Sequence, residues 1–243
     1  MDMVELVGCD SLLVTGDISE GDDVVFQLHR LADALRKPIY FVLGNHDFYH
    51  NSVDRTRLYV ARSIAPQPML RYLRDESVIM LTPGVGLVGE DGWGDATQGD
   101  YENTTVRLHD FDMIENFRAT PPTTWKRQLQ IFGRDAADRL DGKLRVASEA
   151  CHHVIVATHV PPFRESCWYE GHTTDDNWAP FFVSGQTGEV IRQAAIENPG
   201  VRYDVYCGHT HHGGIAAIEP NLRVITGAAT YGKPTINDVI EVV

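Results

Sequence analysis

Short apolar runs alternate along this chain with stretches whose apolar positions recur at helical spacing. From Asp22 to Arg36, Val24, Val25, Leu28, Leu31, Ala32 and Leu35 mark one face of a helix, and Pro38 lies just beyond it. Ile39–Leu43 then reads as a strand, and Ser52–Ser63 as a helix broken near Pro66 and Pro68. Ser77–Thr82 and Gly84–Gly89 read as two strands joined at a Pro-Gly turn. The Gly- and Asp-rich stretch Asp91–Asn103 is expected to loop over a rim. Thr123–Ala150 has a helical pattern behind Pro121-Pro122, interrupted by Gly133 and Gly142. Val154–Ala157 is a strand, Pro161–Gln186 a long irregular segment, and Glu189–Glu197 a helix stopped by Asn198-Pro199-Gly200. The tail reads as strands at Asp204–Cys207, Gly214–Ile218, Leu222–Thr226 and Asp238–Val243. Strands alternating with helices place the chain in the α/β class.

At 243 residues, with no repeat and no break in composition, residues 1–243 read as a single domain. No apolar run approaches the length of a membrane span. Met1-Asp2-Met3-Val4-Glu5 lacks the basic-then-apolar layout of a secretory signal, so a cytoplasmic location is expected. Cys9, Cys151, Cys167 and Cys207 are scattered and read as reduced, mostly core thiols. The net charge of −13 argues against a non-specific nucleic-acid surface or an anionic membrane surface. It leaves a small phosphorylated substrate open, because divalent cations in a pocket reverse the local potential.

Four of the apolar runs end in side chains that bind metals. Leu12-Leu13-Val14 leads to Gly16-Asp17, and Tyr40-Phe41-Val42-Leu43 to Gly44-Asn45-His46-Asp47. Val154-Ile155-Val156-Ala157 leads to Thr158-His159, and Val205-Tyr206-Cys207 to Gly208-His209-Thr210-His211. Strand ends that share such ligands point to one rim of a sheet, where open α/β folds collect what they bind. Asp, Asn and His suit divalent first-row metals such as Mn, Fe or Zn, and a thiolate site is not indicated. Each residue alone has a plainer reading, as turn residue, helix cap or structural histidine. Their order along the chain is what carries the metal reading.

With Gly16-Asp17-Ile18-Ser19-Glu20, Gly44-Asn45-His46-Asp47, Thr158-His159-Val160-Pro161-Pro162 and Gly208-His209-Thr210-His211, the chain resembles the calcineurin-like metallophosphoesterase superfamily. The resemblance runs from Asp17 to the 227–231 segment. It implies a four-layer α/β/β/α sandwich and two divalent metal ions, with Asp17 bridging them. Asn45, His159 and His209 would complete one site, and His211 would bind the other metal. A hydroxide held between the metals would attack phosphorus in line. His46 would protonate the leaving oxygen as general acid, with Glu20 or Asp47 orienting its imidazole.

The family's earlier Asp-x-His motif, which supplies the second metal, has no counterpart among the residues before Asp17. Either a first strand is missing from this chain, or the first metal site is incomplete in a real variant. The second case admits a scaffold that has lost catalysis, as the small subunit of the retromer coat resembles this family without acting as an enzyme. His212 reads as a rim residue and His152 and His153 as surface, while His50 and His109 stay open, His50 being near enough to line the pocket. Arg164, Trp168, Tyr169, His172, Trp178, Phe181 and Phe182 form either a specificity wall or simple packing of their loop. Trp93 is expected to border the pocket, and stacking of a flat leaving group on such aromatics is one option.

Overall fold

The computed structural model describes residues 8–242, so the reading of Met1–Glu5 lies outside the described residues. Two sheets organise the molecule, beside a short antiparallel pair, β7 (Trp168–Tyr169) and β8 (His172–Thr173). The first is parallel, in the order β1 (Leu12–Thr15), β2 (Ile39–Val42), β3 (Leu70–Tyr72). The second is mixed, with β10 (Gly214–Glu219), β11 (Leu222–Thr226), β9 (Arg202–Cys207), β6 (His153–Ala157), β5 (Val85–Gly89) and β4 (Ile79–Thr82) side by side. Its inner pairs β11/β9, β9/β6 and β6/β5 are parallel, and its outer pairs are antiparallel. The fold is therefore α/β with mixed sheets.

Side chains alternate across the strands, as the pleat requires. On β2, Ile39 and Phe41 pack with Val24, Leu28 and Val60 from the helices α1 (Asp23–Leu35) and α2 (Val53–Ile64). Val42 turns the other way and meets Ile155, Ala157, Leu87 and Tyr206 of the second sheet. On β6, Val154 and Val156 pack with Leu140 and Leu144 of the long helix at Trp125–Ala150 and with Ile191 of the helix at Gly185–Glu197. Burying each such side chain contributes roughly 1.5–3 kcal/mol.

Most expected elements are present. The long helix is continuous through Gly133 and Gly142 because its apolar stripe from Leu129 to Ala147 is buried along its length. Four regions differ. Leu70–Tyr72 forms a strand, seeded by Ile39 N–H donating to Met69 O at 2.7 Å. Asp110–Met113 and Glu115–Arg118 form short helices in a stretch without strong periodicity. Residues 238–242 form no strand; Ile240 and Val242 instead pack against the cluster between the sheets.

The Asp91–Asn103 stretch departs furthest from expectation. Its first part runs through the interior, with Glu90, Asp91 and Asp95 fully buried. Asp91 accepts from Leu43 N–H (2.9 Å), Arg57 Nε (3.0 Å) and Tyr72 OH (2.7 Å). Glu90 lies 3.0 Å from Arg139 Nε and 3.2 Å from Arg74 Nε. Paired this way, the carboxylates do not need solvent.

Candidate metal centre

In each sheet, two adjacent parallel strands end level with each other. Thr15 pairs with Val42, and Ala157 with Tyr206. Two or three residues beyond those positions the chain presents Asp17, Asn45, His159 and His209. The turns are tight: Asp17 (φ 51°), His209 (φ 69°) and His211 (φ 61°) all hold left-handed backbone, uncommon for residues with a Cβ. Strain of this kind clusters at functional sites. Two glycines allow the loops to meet. A Cβ at Gly44 would overlap Asp17 Oδ1 and lie 2.6 Å from His159 Cε1, and one at Gly16 would lie 2.5 Å from His159 Nδ1.

The four donors converge. Asn45 Oδ1 lies 3.1 Å from His159 Nε2 and 3.0 Å from His209 Nδ1. Those two nitrogens are 3.2 Å apart, and Asp17 Oδ1 is 3.4 Å from His159 Nε2. Ligands about 2.0–2.2 Å from one shared cation stand roughly 3.0–3.5 Å from each other.

The surrounding hydrogen bonds decide what these atoms carry. His159 Nδ1–H donates to Thr15 O at 2.7 Å, and His209 Nε2–H to Phe181 O at 3.3 Å. The inward nitrogens are thereby assigned as lone pairs. Asn45 Nδ2 donates to Asp110 Oδ1 at 2.9 Å, which turns its carbonyl oxygen inward. Burial, with His159 beside it, pushes the His209 imidazole down to about 3, so it stays neutral. Burial opposes the charge on Asp17, yet its carboxyl lies below the ordinary value, with the His46 backbone N–H among the groups that hold it there. Four acceptors thus face one point with no proton between them, an arrangement that repels itself until a cation joins it. Among the described residues, no group of three or more His, Cys, Asp and Glu side chains alone offers a metal site. A divalent cation here would therefore depend on the amide oxygen of Asn45 as well as on Asp17, His159 and His209.

His46 opens the short 3-10 turn His46–Phe48. Its backbone N–H donates to Asp17 Oδ1 at 3.1 Å. Its ring lies between Tyr49, at 4.5 Å, and Tyr231, at 5.7 Å, with Nε2 3.4 Å from the Tyr231 hydroxyl. Of the two carboxylates considered for His46, Glu20 is the neighbour, its Oε1 3.9 Å from Nδ1. Asp47 faces elsewhere: it is fully buried and accepts from Ser19 N–H (2.9 Å) and Gly44 N–H (2.8 Å). Burial and the nearby Asp17 raise its pKa against those amides. Asp47 clamps the Asp17 loop to the Gly44 loop and does not orient the His46 ring.

His211 stands outside the four-donor contacts, its ring edge-on to Tyr231 at 4.8 Å. His50 is exposed and lies 3.9 Å from the other oxygen of Glu20. His109 and His152 are exposed. His153 departs from the surface reading: it is partly buried and bonded to Asp204 at 2.9 Å. His212 accepts from Glu170 N–H at 3.3 Å, and Tyr169 packs on its ring. The aromatic segment divides its work. Phe163 and Phe181 are core, while Phe182 packs on His209 at 4.5 Å and Tyr169 and Trp178 are exposed. Trp93 is buried among Phe48, Phe117 and Phe132.

Two residues beside the site escaped the sequence reading. Tyr49, three places after His46, could have been found from its place in the same motif. Asp110 carried no local signal.

An α/β scaffold that gathers Asp, Asn and two His at aligned strand ends is a metallophosphatase type of fold. The chain belongs to the calcineurin-like phosphoesterase family, whose model matches residues 2–213. A dimetal phosphatase from Danio rerio superposes with a TM-score of 0.58 at 15% identity, over 96% of this chain and 76% of that one. GAP50, the anchor in the inner membrane complex of Plasmodium, gives 0.49 at 12% identity, over 98% and 68%. At 15% identity the likeness to the first concerns the fold alone. No curated protein matches the chain in sequence.

Proposed function

We propose that this chain is a metal-dependent phosphoesterase acting on phosphomono- or phosphodiesters, with Asp17, Asn45, His159 and His209 holding one divalent cation. The observation that carries the reading is the mutual contact of Asn45 Oδ1, His159 Nε2 and His209 Nδ1 at 3.0–3.2 Å, with Asp17 Oδ1 3.4 Å from His159 Nε2. A cation of Mn, Fe or Zn type, when bound, supplies a Lewis acid for a phosphoryl oxygen and acidifies water. Asn45 adds a ligand without charge, leaving the cation a net positive field for an anionic substrate despite the acidic chain. His46 donates the proton to the leaving oxygen, with Glu20 setting its ring and the Asp17 carboxylate fixing its backbone.

A second cation would use Asp17 and His211. Tyr49, Tyr231 and Phe182 border the centre and suit a flat leaving group in a small phosphorylated substrate. The four-layer α/β/β/α arrangement belongs to the same reading, supported by the alternation of side chains on β2 and β6. The buried thiols Cys151, Cys167 and Cys207 suit a reducing, cytoplasmic setting.

The test is hydrolysis of bis-p-nitrophenyl phosphate with added Mn²⁺ by wild type, His46→Ala and Asn45→Ala. Both variants should lose most of the rate. Equal rates in all three end the assignment and leave the non-catalytic scaffold.

A further inference from the structure

The Asn45 side chain is close to symmetric in shape, yet only one of its two orientations can bind a cation. Flipped, its NH₂ group would face the lone pairs of His159 and His209 and satisfy them without metal. We propose that Asp110 is the positioning residue that selects the metal-binding orientation of Asn45 and, through Tyr49, seats the His46 imidazole; the inference rests on the metal-centre reading above.

One oxygen of Asp110, Oδ1, accepts from Asn45 Nδ2 and from Tyr49 OH, each at 2.9 Å. A carboxyl oxygen that accepts the Tyr49 hydroxyl offers Asn45 no donor, so only the orientation with the Asn45 amide nitrogen toward Asp110 is satisfied. The same oxygen fixes the Tyr49 hydroxyl, and the Tyr49 ring lies against His46 at 4.5 Å and 31°. A single buried acceptor therefore sets a metal ligand and the bed of the proton donor together.

Backbone contacts keep Asp110 in register with both partners. His50 N–H donates to Met113 O at 2.8 Å, Glu115 N–H to Asn51 O at 3.0 Å, and Val53 N–H to Asn116 Oδ1 at 2.8 Å. The segment carrying Asp110 is thus laced to the residues that continue the Asn45 loop. Substrate does not reach it. Asp110 is buried, and the cavity it shares with Asn45, Trp93, Phe181 and His209, about 10 Å³, has room for one water at most. Its part is positioning.

The experiment is calorimetric titration of the whole chain with Mn²⁺ alone, with thermal unfolding of each metal-free variant alongside. Asp110→Leu, which removes the acceptor, should weaken Mn²⁺ binding about 10–100-fold, the usual cost of losing an outer partner of a ligand. Asp110→Asn can place its amide oxygen where Oδ1 lies and should bind within a few-fold of wild type. Tyr49→Phe should keep the affinity and lower turnover. An independent comparison is the exchange pair: Asn45→Asp sets two carboxylates against each other, and adding Asp110→Asn should restore Mn²⁺ binding. Wild-type affinity in Asp110→Leu, or no restoration by the exchange, overturns the inference alone. A wild-type chain that takes up no Mn²⁺ overturns the metal-centre reading and this inference with it.

Discussion

Replacing Asp91 by alanine should be among the most damaging single changes outside the metal ligands. The carboxylate is fully buried, and its three partners come from separate segments: Leu43 N–H, the Arg57 guanidinium and the Tyr72 hydroxyl. Burial opposes the charge on Arg57, and Asp91 leads the groups that hold it above its ordinary value. Removing one member of a buried ion pair costs about 3–5 kcal/mol, because the other is left charged and dry. The orphaned Leu43 N–H adds roughly 1–3 kcal/mol. Asp135, 3.6 Å from Arg57 but half exposed, recovers a part. A net loss of about 3–5 kcal/mol follows, since neighbouring terms do not add. At about 2–4 °C per kcal/mol for a chain of this size, Tm should fall by roughly 6–20 °C. Urea and thermal melts followed by circular dichroism measure it, with Asp91→Ala/Arg57→Met as the control. The double variant removes the stranded charge and should recover much of the loss. A loss below about 1 kcal/mol, or no recovery in the double variant, refutes the account of Asp91 as the anchor of a buried pair.

Further outcomes follow from the same geometry. Mn²⁺ at 100 times its Kd should stabilise the chain by about 2.7 kcal/mol, seen as a rise in Tm that EDTA reverses and His209→Ala abolishes. Gly44→Ala should displace Asp17 and His159 and remove Mn²⁺ binding in the same titration. Lys143→Met should destabilise by about 2–4 kcal/mol in urea, since the ammonium bonds the carbonyls of Leu73, Arg74 and Gly89 at 2.7–2.9 Å in the interior. The acid limb of stability tests Asp204. Burial opposes its charge, but Arg223 and Arg202 hold its pKa below the ordinary 3.8. The folded chain then binds fewer protons than the unfolded one as pH falls past that value, so this stability is full above about pH 4 and lost below it. Asp204→Asn should flatten that part of the pH profile, and an unchanged acid limb counts against the pairing.

What could be read ahead was what the chain writes contiguously. Asp17, Asn45, His159 and His209 each follow an apolar strand, so both the residue type and its place at a strand end were visible. The carboxylate expected at His46 was not settled in that way. Asp47 is adjacent in sequence, yet the turn directs it to the amides of Ser19 and Gly44, and Glu20 from another loop is the neighbour. Composition misled at Asp91, because Gly- and Asp-rich stretches are usually solvated. The cation paired with it, Arg57, lies on another segment, as do Arg74, Arg139 and Lys143 around the adjacent Glu90. Asp110 was unreadable for the same reason, since its contact with Asn45 spans 65 residues.

The centre straddles a seam. Asp17 and Asn45 come from the first sheet, His159 and His209 from the second, so donor separations are set by how the two sheets meet. Val42, Ala157 and Tyr206, each within a few residues of a donor, lie in the apolar cluster between them. Asp91 bridges the same seam by polar means. Its side chain holds Leu43 N–H beside the Asn45 loop, while its carbonyl accepts His159 N–H at 2.8 Å. His159 Nδ1–H in turn reaches back to Thr15 O at the end of β1. A change in inter-sheet packing therefore alters together the three donor distances that cross the seam, Asn45 to His159, Asn45 to His209 and Asp17 to His159. Ala157→Val, which adds bulk at a fully buried seam position, should lower Mn²⁺ affinity more than an equal addition at Ala195 on the outer helix. Equal effects at the two positions would mean the loops hold the donors by themselves.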